Sequence, residues 1–239
     1  VPDLTLRYAR SVLGFLWSLL NPMIMIAIYT FFFSRVVRVG VENYPAFLVT
    51  VLLPWNFLAK GLQSVAPTPF HNGYLLNRSA FPSETLVLGG LISNFVDFCL
   101  EMAVLSVILA AFGMPVFPGL LVVPLAMALQ LLFTAGVTLL TSVSFVYYRD
   151  TQYIVGILCT VWLYLTPVFY PASMVPEQFR YLYNLNPMVA IAEAFRRPLY
   201  EGILPSLPAL GLVMLICSGT FLLGWAFFNR YKHDFAEVL

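Results

Sequence analysis

RYARSVLGFLWSLLNP, residues 7–22, is where a basic, amphipathic head becomes an apolar helix long enough to cross a membrane. At helical spacing Asp3, Arg7, Arg10 and Gly14 share one face while Leu4, Tyr8 and Val12 share another, which suits a helix lying in the headgroup layer. Trp17 then falls near the water boundary, where aromatic rings prefer to sit. From residue 14 to residue 33 the run is interrupted only by Ser18, Asn21, Pro22 and Thr30, and such a run crosses a hydrocarbon core about 30 Å thick. Taken alone, the same run also reads as an ordinary buried core helix.

Composition separates the two. With 61% hydrophobic and 10% charged residues and a mean hydropathy of +0.88, the chain lacks the polar side chains to cover a soluble domain of its length. It reads as an all-α integral membrane protein. A net charge of +1 leaves no basic excess for binding phosphates, which excludes a nucleic-acid role. Cys99, Cys159 and Cys217 are far apart in apolar sequence and read as packing residues, with no disulfide or metal role. No cleavable signal pattern precedes the first helix, which is expected to serve as the targeting signal itself. The chain opens at Val1, not Met, so a few native residues before it are expected.

Six spans are expected, at 15–34, 46–66, 86–112, 119–145, 153–170 and 207–228, in one domain covering 1–239 without repeats or long linkers. An even count places both termini on one side. Arg7, Arg10, Arg78, Arg149, Arg230 and Lys232 on that side face Arg35, Arg38, Arg180, Arg196 and Arg197 on the other, a margin of one charge. The first helix usually dominates orientation, so its flanking Arg7 and Arg10 put both termini in the cytoplasm.

The two longest connections carry structure of their own. On the inner side PTPFHNGYLLNRSAFPSETL is punctuated by prolines and Asn-Gly; residues 79–84 form a short helix or turn that exposes Arg78 to a protein partner, or else a solvated loop. On the outer side Pro176 opens EQFRYLYNL and Pro187 opens MVAIAEAFRR. Both are too short to span. They read as a re-entrant hairpin, with an amphipathic surface hairpin as the alternative.

Three ionisable residues fall inside spans: Lys60, Asp97 and Glu101. A charge at the bilayer centre costs about 2.5–3.5 kcal/mol even on insertion scales. Asp97 and Glu101 share a face of the third span, which Lys60 reaches if the second and third spans pack antiparallel. A structural ion pair, a channel-lining role and a proton relay all fit, as does snorkelling of Lys60 to the boundary. Among the aromatics, 16% of the chain, Tyr29, Phe33, Trp55, Tyr164, Phe169 and Tyr170 are candidates for a channel wall on which sugar rings stack; anchoring or packing is the alternative. No catalytic constellation appears. A P-loop needs Gly-Lys followed by Ser or Thr, but Lys60 precedes Gly61 and Lys232 precedes His233; His71 and His233 are isolated.

RYARSVLGFLWSLLNP, the LLPWNF of residues 52–57, Tyr148-Arg149-Asp150, the TPVFYP of residues 166–171 and the NLNPM of residues 184–188 together resemble the permease subunit of ABC-2 type polysaccharide exporters, the transporters of O-antigen, capsule and teichoic acid chains. The resemblance covers essentially the whole chain, in order. It implies a homodimer of six-helix subunits in the bacterial inner membrane. Each subunit has an amphipathic interface helix before the first span, a cytoplasmic coupling helix between the second and third, and two re-entrant helices between the fifth and sixth. It also implies a separate ATPase subunit that carries ATP and Mg, with no cofactor on this chain and no enzymatic activity of its own. Arg7, Arg10, Arg78, Ser79, Pro82, Ser83 and Glu84 are then the expected contacts to that ATPase, and the cargo is a lipid-linked polysaccharide. An ABC-2 exporter of drugs or lipids is the alternative within the superfamily; a stand-alone membrane enzyme or flippase is the alternative outside it.

Overall fold

A computed structural model describes residues 16–74, 82–148 and 150–238, and every regular element in them is helical. The described chain divides into two compact units at Val49 and Thr50.

In the first unit, helix α1 (Leu16–Phe31) runs on through a π-helical turn, Phe32–Val36. Its sequence is apolar apart from Ser18, Asn21, Pro22 and Thr30. The connection that follows is turned by three residues with positive φ, Arg38, Gly40 and Asn43. It leads into α2 (Tyr44–Lys60), whose first turn packs Tyr44 against Phe33, ring centroids 6.2 Å apart and 16° from parallel.

In the second unit, α2 continues to Lys60 and passes through a second π-helical turn, Gly61–Val65, before the short α3 (Thr68–His71). Two long helices follow, α4 (Ser83–Ala111, 29 residues) and α5 (Phe117–Tyr147, 31 residues). Next comes α6 (Thr151–Leu165, 15 residues), stopped at Thr166-Pro167 because proline disfavours a helical residue before it. The connection after α6 holds two 3₁₀ turns, α7 (Arg180–Leu185) and α8 (Pro187–Arg196), then a third π-helical turn, Arg197–Glu201. Last are α9 (Leu207–Tyr231), a 3₁₀ turn and α10 (Phe235–Val238).

Among the described residues, four helices are long and apolar enough to cross a membrane: Tyr44–His71, Ser83–Ala111, Gly119–Tyr147 and Leu207–Asp234. They overlap the second, third, fourth and sixth expected spans. The first and fifth correspond to shorter apolar helices, Ile24–Val36 and Thr151–Leu165.

At two glycines α5 and α9 come into backbone contact. A methyl group added at Gly136 would collide with the Thr220 carbonyl oxygen, and one at Gly224 with the Gly136 carbonyl oxygen. Small residues let the two backbones touch, the usual device where lipid offers no hydrophobic drive between helices. Below this crossing Val65, Val87, Leu91, Ala135, Leu139, Val143, Val146, Phe228 and Phe235 form one buried cluster. It joins the second π turn, α4, α5, α9 and α10.

Candidate functional site

Of the three charges inside spans, two meet. Lys60 is the last residue of α2, and its Nζ donates to Glu101 Oε1 of α4 at 3.1 Å. The side chains remain 45% and 28% exposed, so the pair lies at a surface and not in the packed interior. Asp97, one turn earlier on α4, is also exposed.

The interior carries a different polar feature. Gln130, Thr134, Thr138 and Ser142, four residues apart, form a fully buried ladder along α5. Gln130 Nε2 donates to the Pro54 carbonyl and to Thr134 Oγ1, both at 3.3 Å, and Ser142 Oγ to the Thr138 carbonyl at 2.9 Å. Gly61 faces this ladder so closely that an added Cβ would lie 2.7 Å from Thr134 Cγ2 and 2.9 Å from Thr138 Oγ1. The ladder packs the second π turn against α5. Its period of four residues is visible in the sequence, though hydropathy alone does not distinguish a buried polar ladder from a lumenal one.

The candidate wall aromatics lie in several places. Tyr29 and Phe33 are half-buried in the first unit. Trp55 is buried and meets Trp162 edge-on, centroids 6.0 Å apart. Phe169 is buried beside the exposed Tyr164, centroids 5.7 Å apart, and the half-buried Tyr170 donates its hydroxyl to the Tyr164 carbonyl at 2.9 Å. The structure therefore brings Tyr164, Phe169 and Tyr170 together where α6 ends, and seats Trp55 in a separate aromatic contact.

Where α6 ends, two residues that sequence reasoning passed over hold the chain. Asn186 caps α8, its Oδ1 accepting from Met188 N at 3.0 Å and from Trp162 Nε1 at 2.8 Å. Its Nδ2 donates to the Leu165 carbonyl at 3.1 Å and to Thr166 Oγ1 at 3.2 Å. Arg196, counted above with the outer charges, is 2% exposed, and its Nη2 donates to the carbonyls of Pro167 and Val168. The signal for both was the TPVFYP turn, whose prolines remove the N–H donors that would otherwise continue the helix.

Arg7, Arg10, Arg78 and Ser79 of the expected ATPase contact lie outside the described residues. Pro82 is exposed, Ser83 is buried, and Glu84 in the first turn of α4 accepts from Lys232 Nζ at 2.8 Å. Beside it Tyr147 Oη donates to Asp234 Oδ2 at 3.3 Å. The end of α9 is thereby tied to the start of α4.

A family model described as ABC-2 type transporter matches residues 3–200. The chain is 29% identical to an O-antigen export system permease protein, RfbA, of Klebsiella pneumoniae, over 99% of this chain and 92% of that protein. It is 31% identical to the RfbA of Myxococcus xanthus, with the same coverage. It is 20% identical to the polysialic acid transport protein KpsM of Escherichia coli, over 95% of this chain and 89% of the other.

Proposed function

Because this chain belongs to the ABC-2 type transporter family, we propose that it is the transmembrane subunit of an ATP-driven exporter that moves a lipid-linked, O-antigen-like polysaccharide out across the bacterial inner membrane. The observation that carries the reading is similarity to O-antigen export permeases along 99% of the chain. The subunit crosses the membrane six times with both termini in the cytoplasm, as one domain. Length supports the first crossing, since α1 with its π turn runs through 21 residues from Leu16 to Val36, about 31 Å of helix. The fifth is shorter, 15 residues of α6 or about 22 Å, and the buried TPVF turn extends it.

Two copies pair, and an ATPase subunit that binds ATP and Mg sits beneath them. The chain carries no P-loop, so the motor is on the partner. The segment running from Arg78 to Glu84 and the amphipathic head with Arg7 and Arg10 grip that subunit. Polysaccharide then passes between elements of the membrane bundle, with aromatic side chains and intramembrane polar groups along its way. Purification tests the assembly: an ATPase subunit co-purifies with the tagged chain, and cysteines placed at Ser79 and Pro82 cross-link to it. A chain that purifies alone from cells expressing the whole operon would overturn the reading in favour of a solitary flippase or enzyme.

A further inference from the structure

Between Ala46 and Pro67 the second expected span is almost entirely buried. The side chains it does expose are Lys60, Gln63 and Ser64, and all three are polar. They lie well inside the apolar helix Tyr44–His71, away from its ends. At 1.5 Å per residue Lys60 lies about 24 Å from Tyr44 and about 16 Å from His71. On α4 the exposed Ser93 and Asp97 and the part-exposed Glu101 repeat every four residues, with Asp97 about 21 Å from either helix end.

The rest of α4's open surface behaves differently: Ile92, Val96, Leu100, Val104 and Val107 are all apolar and at least half exposed. An apolar surface of this kind suits contact with lipid. The polar edge running beside it cannot face lipid at the same depth without leaving charges and amides unsolvated.

Helix geometry accounts for the exposure. Lys60 ends the α-helical part of α2, and the next turn is π-helical, closed by Ala66 N donating to the Gly61 carbonyl at 2.9 Å. The wider turn holds Gly61 against Thr134 and Thr138 and leaves Gln63 and Ser64 exposed, the Gln63 side chain also reaching the buried Cys159 thiol of α6. Single π turns inside α-helices recur at functional sites.

The geometry points to a hydrophilic wall: Lys60, Gln63 and Ser64, with Asp97 and Glu101, face a water-filled path at mid-membrane depth and contact the hydroxyl groups of a carbohydrate chain. Amide, hydroxyl, ammonium and carboxylate supply donors and acceptors together, which a sugar hydroxyl matches from either side. The Lys60–Glu101 pair fixes two of these groups in place. This inference rests on the exporter reading, and it moves the sugar contact from the buried Trp55 and Phe169 to polar side chains.

Thiol labelling tests it in membranes carrying the complex with its ATPase. In a parent chain with Cys99, Cys159 and Cys217 replaced by Ala, the single substitutions Gln63→Cys, Ser64→Cys and Asp97→Cys are compared with Val104→Cys. A water-soluble methanethiosulfonate should react at the first three at least about ten times faster than at the fourth, because the reacting thiolate forms only in contact with water and one pKa unit is a factor of ten. The rate at Gln63→Cys should fall in membranes from cells making the polysaccharide, relative to cells with its synthesis blocked. Reaction as slow as at Val104→Cys, or spontaneous disulfide linkage to a second copy through Ser64→Cys, would overturn the aqueous path. Fast reaction that ignores polysaccharide synthesis would overturn the sugar contact. Failure of the exporter reading shows separately, as loss of ATPase co-purification, which the labelling rates do not report.

Discussion

Lys60 and Glu101 set the energy scale of a charge pair that is neither buried nor free. Solvent-exposed pairs couple by about 0.2–1 kcal/mol, whereas a charge left in hydrocarbon costs about 2.5–3.5 kcal/mol. A water-facing pair should therefore show a coupling of about 0.5–1 kcal/mol in a double-mutant cycle of Lys60→Met and Glu101→Gln, read by unfolding of the purified complex in nanodiscs. A coupling above about 2 kcal/mol would place the pair in lipid or in a dry interface. Asn186 belongs to the other class, a side chain whose partners have no substitute. Asn186→Ala removes the cap of α8 and strands Trp162 Nε1, so it should destabilise by about 2 kcal/mol. Asn186→Asp, which keeps the acceptor for Met188 N and Trp162 Nε1, should cost less, and equal losses would show that the cap and indole bonds carry little. The sequence singled out Lys60, Asp97 and Glu101 because charges inside apolar runs are conspicuous. It gave no clamping role to Asn186 or Lys232, because a polar residue in a loop or at a helix end looks the same whether it is solvated or clamps two elements.

At the scale of elements, the α5–α9 crossing depends on the absence of two side chains. Gly136→Val and Gly224→Val must push the backbones apart and should cost about 1–3 kcal/mol or more, with loss of the folded, monodisperse complex in detergent. Gly219 has nothing within 4 Å of an added Cβ, so Gly219→Ala should leave the unfolding temperature nearly unchanged; equal losses at Gly219 and Gly136 would refute the close crossing. The long apolar helices were legible from the sequence because a run of some twenty apolar residues has few other uses. The π turns after Phe31, Lys60 and Arg196 were not, since their widening depends on how the next helix packs and not on local composition. The period of the ladder Gln130–Thr134–Thr138–Ser142 was in the sequence, but its burial was not, since hydropathy does not tell a helix face packed on protein from one that lines a lumen.

For the whole molecule, orientation rests on the thinnest sequence signal, a margin of one basic residue between the two sides. Two exposed positions decide it. Gln178→Cys should react with an impermeant thiol reagent in intact spheroplasts, and His233→Cys only after permeabilisation; the opposite pattern would reverse the subunit and the direction of transport with it. The family was legible in the order of short motifs along the entire chain, whereas the identity of the glycan was not, because a wall of hydroxyl-matching groups reads no particular sugar. Export itself is tested most directly by deleting the gene and measuring how much lipid-linked polysaccharide is accessible to antibody on intact spheroplasts and after permeabilisation. The account predicts that the chain is still made but becomes accessible only after permeabilisation, and that the intact gene restores display. Undiminished display on intact deletion cells would contradict it.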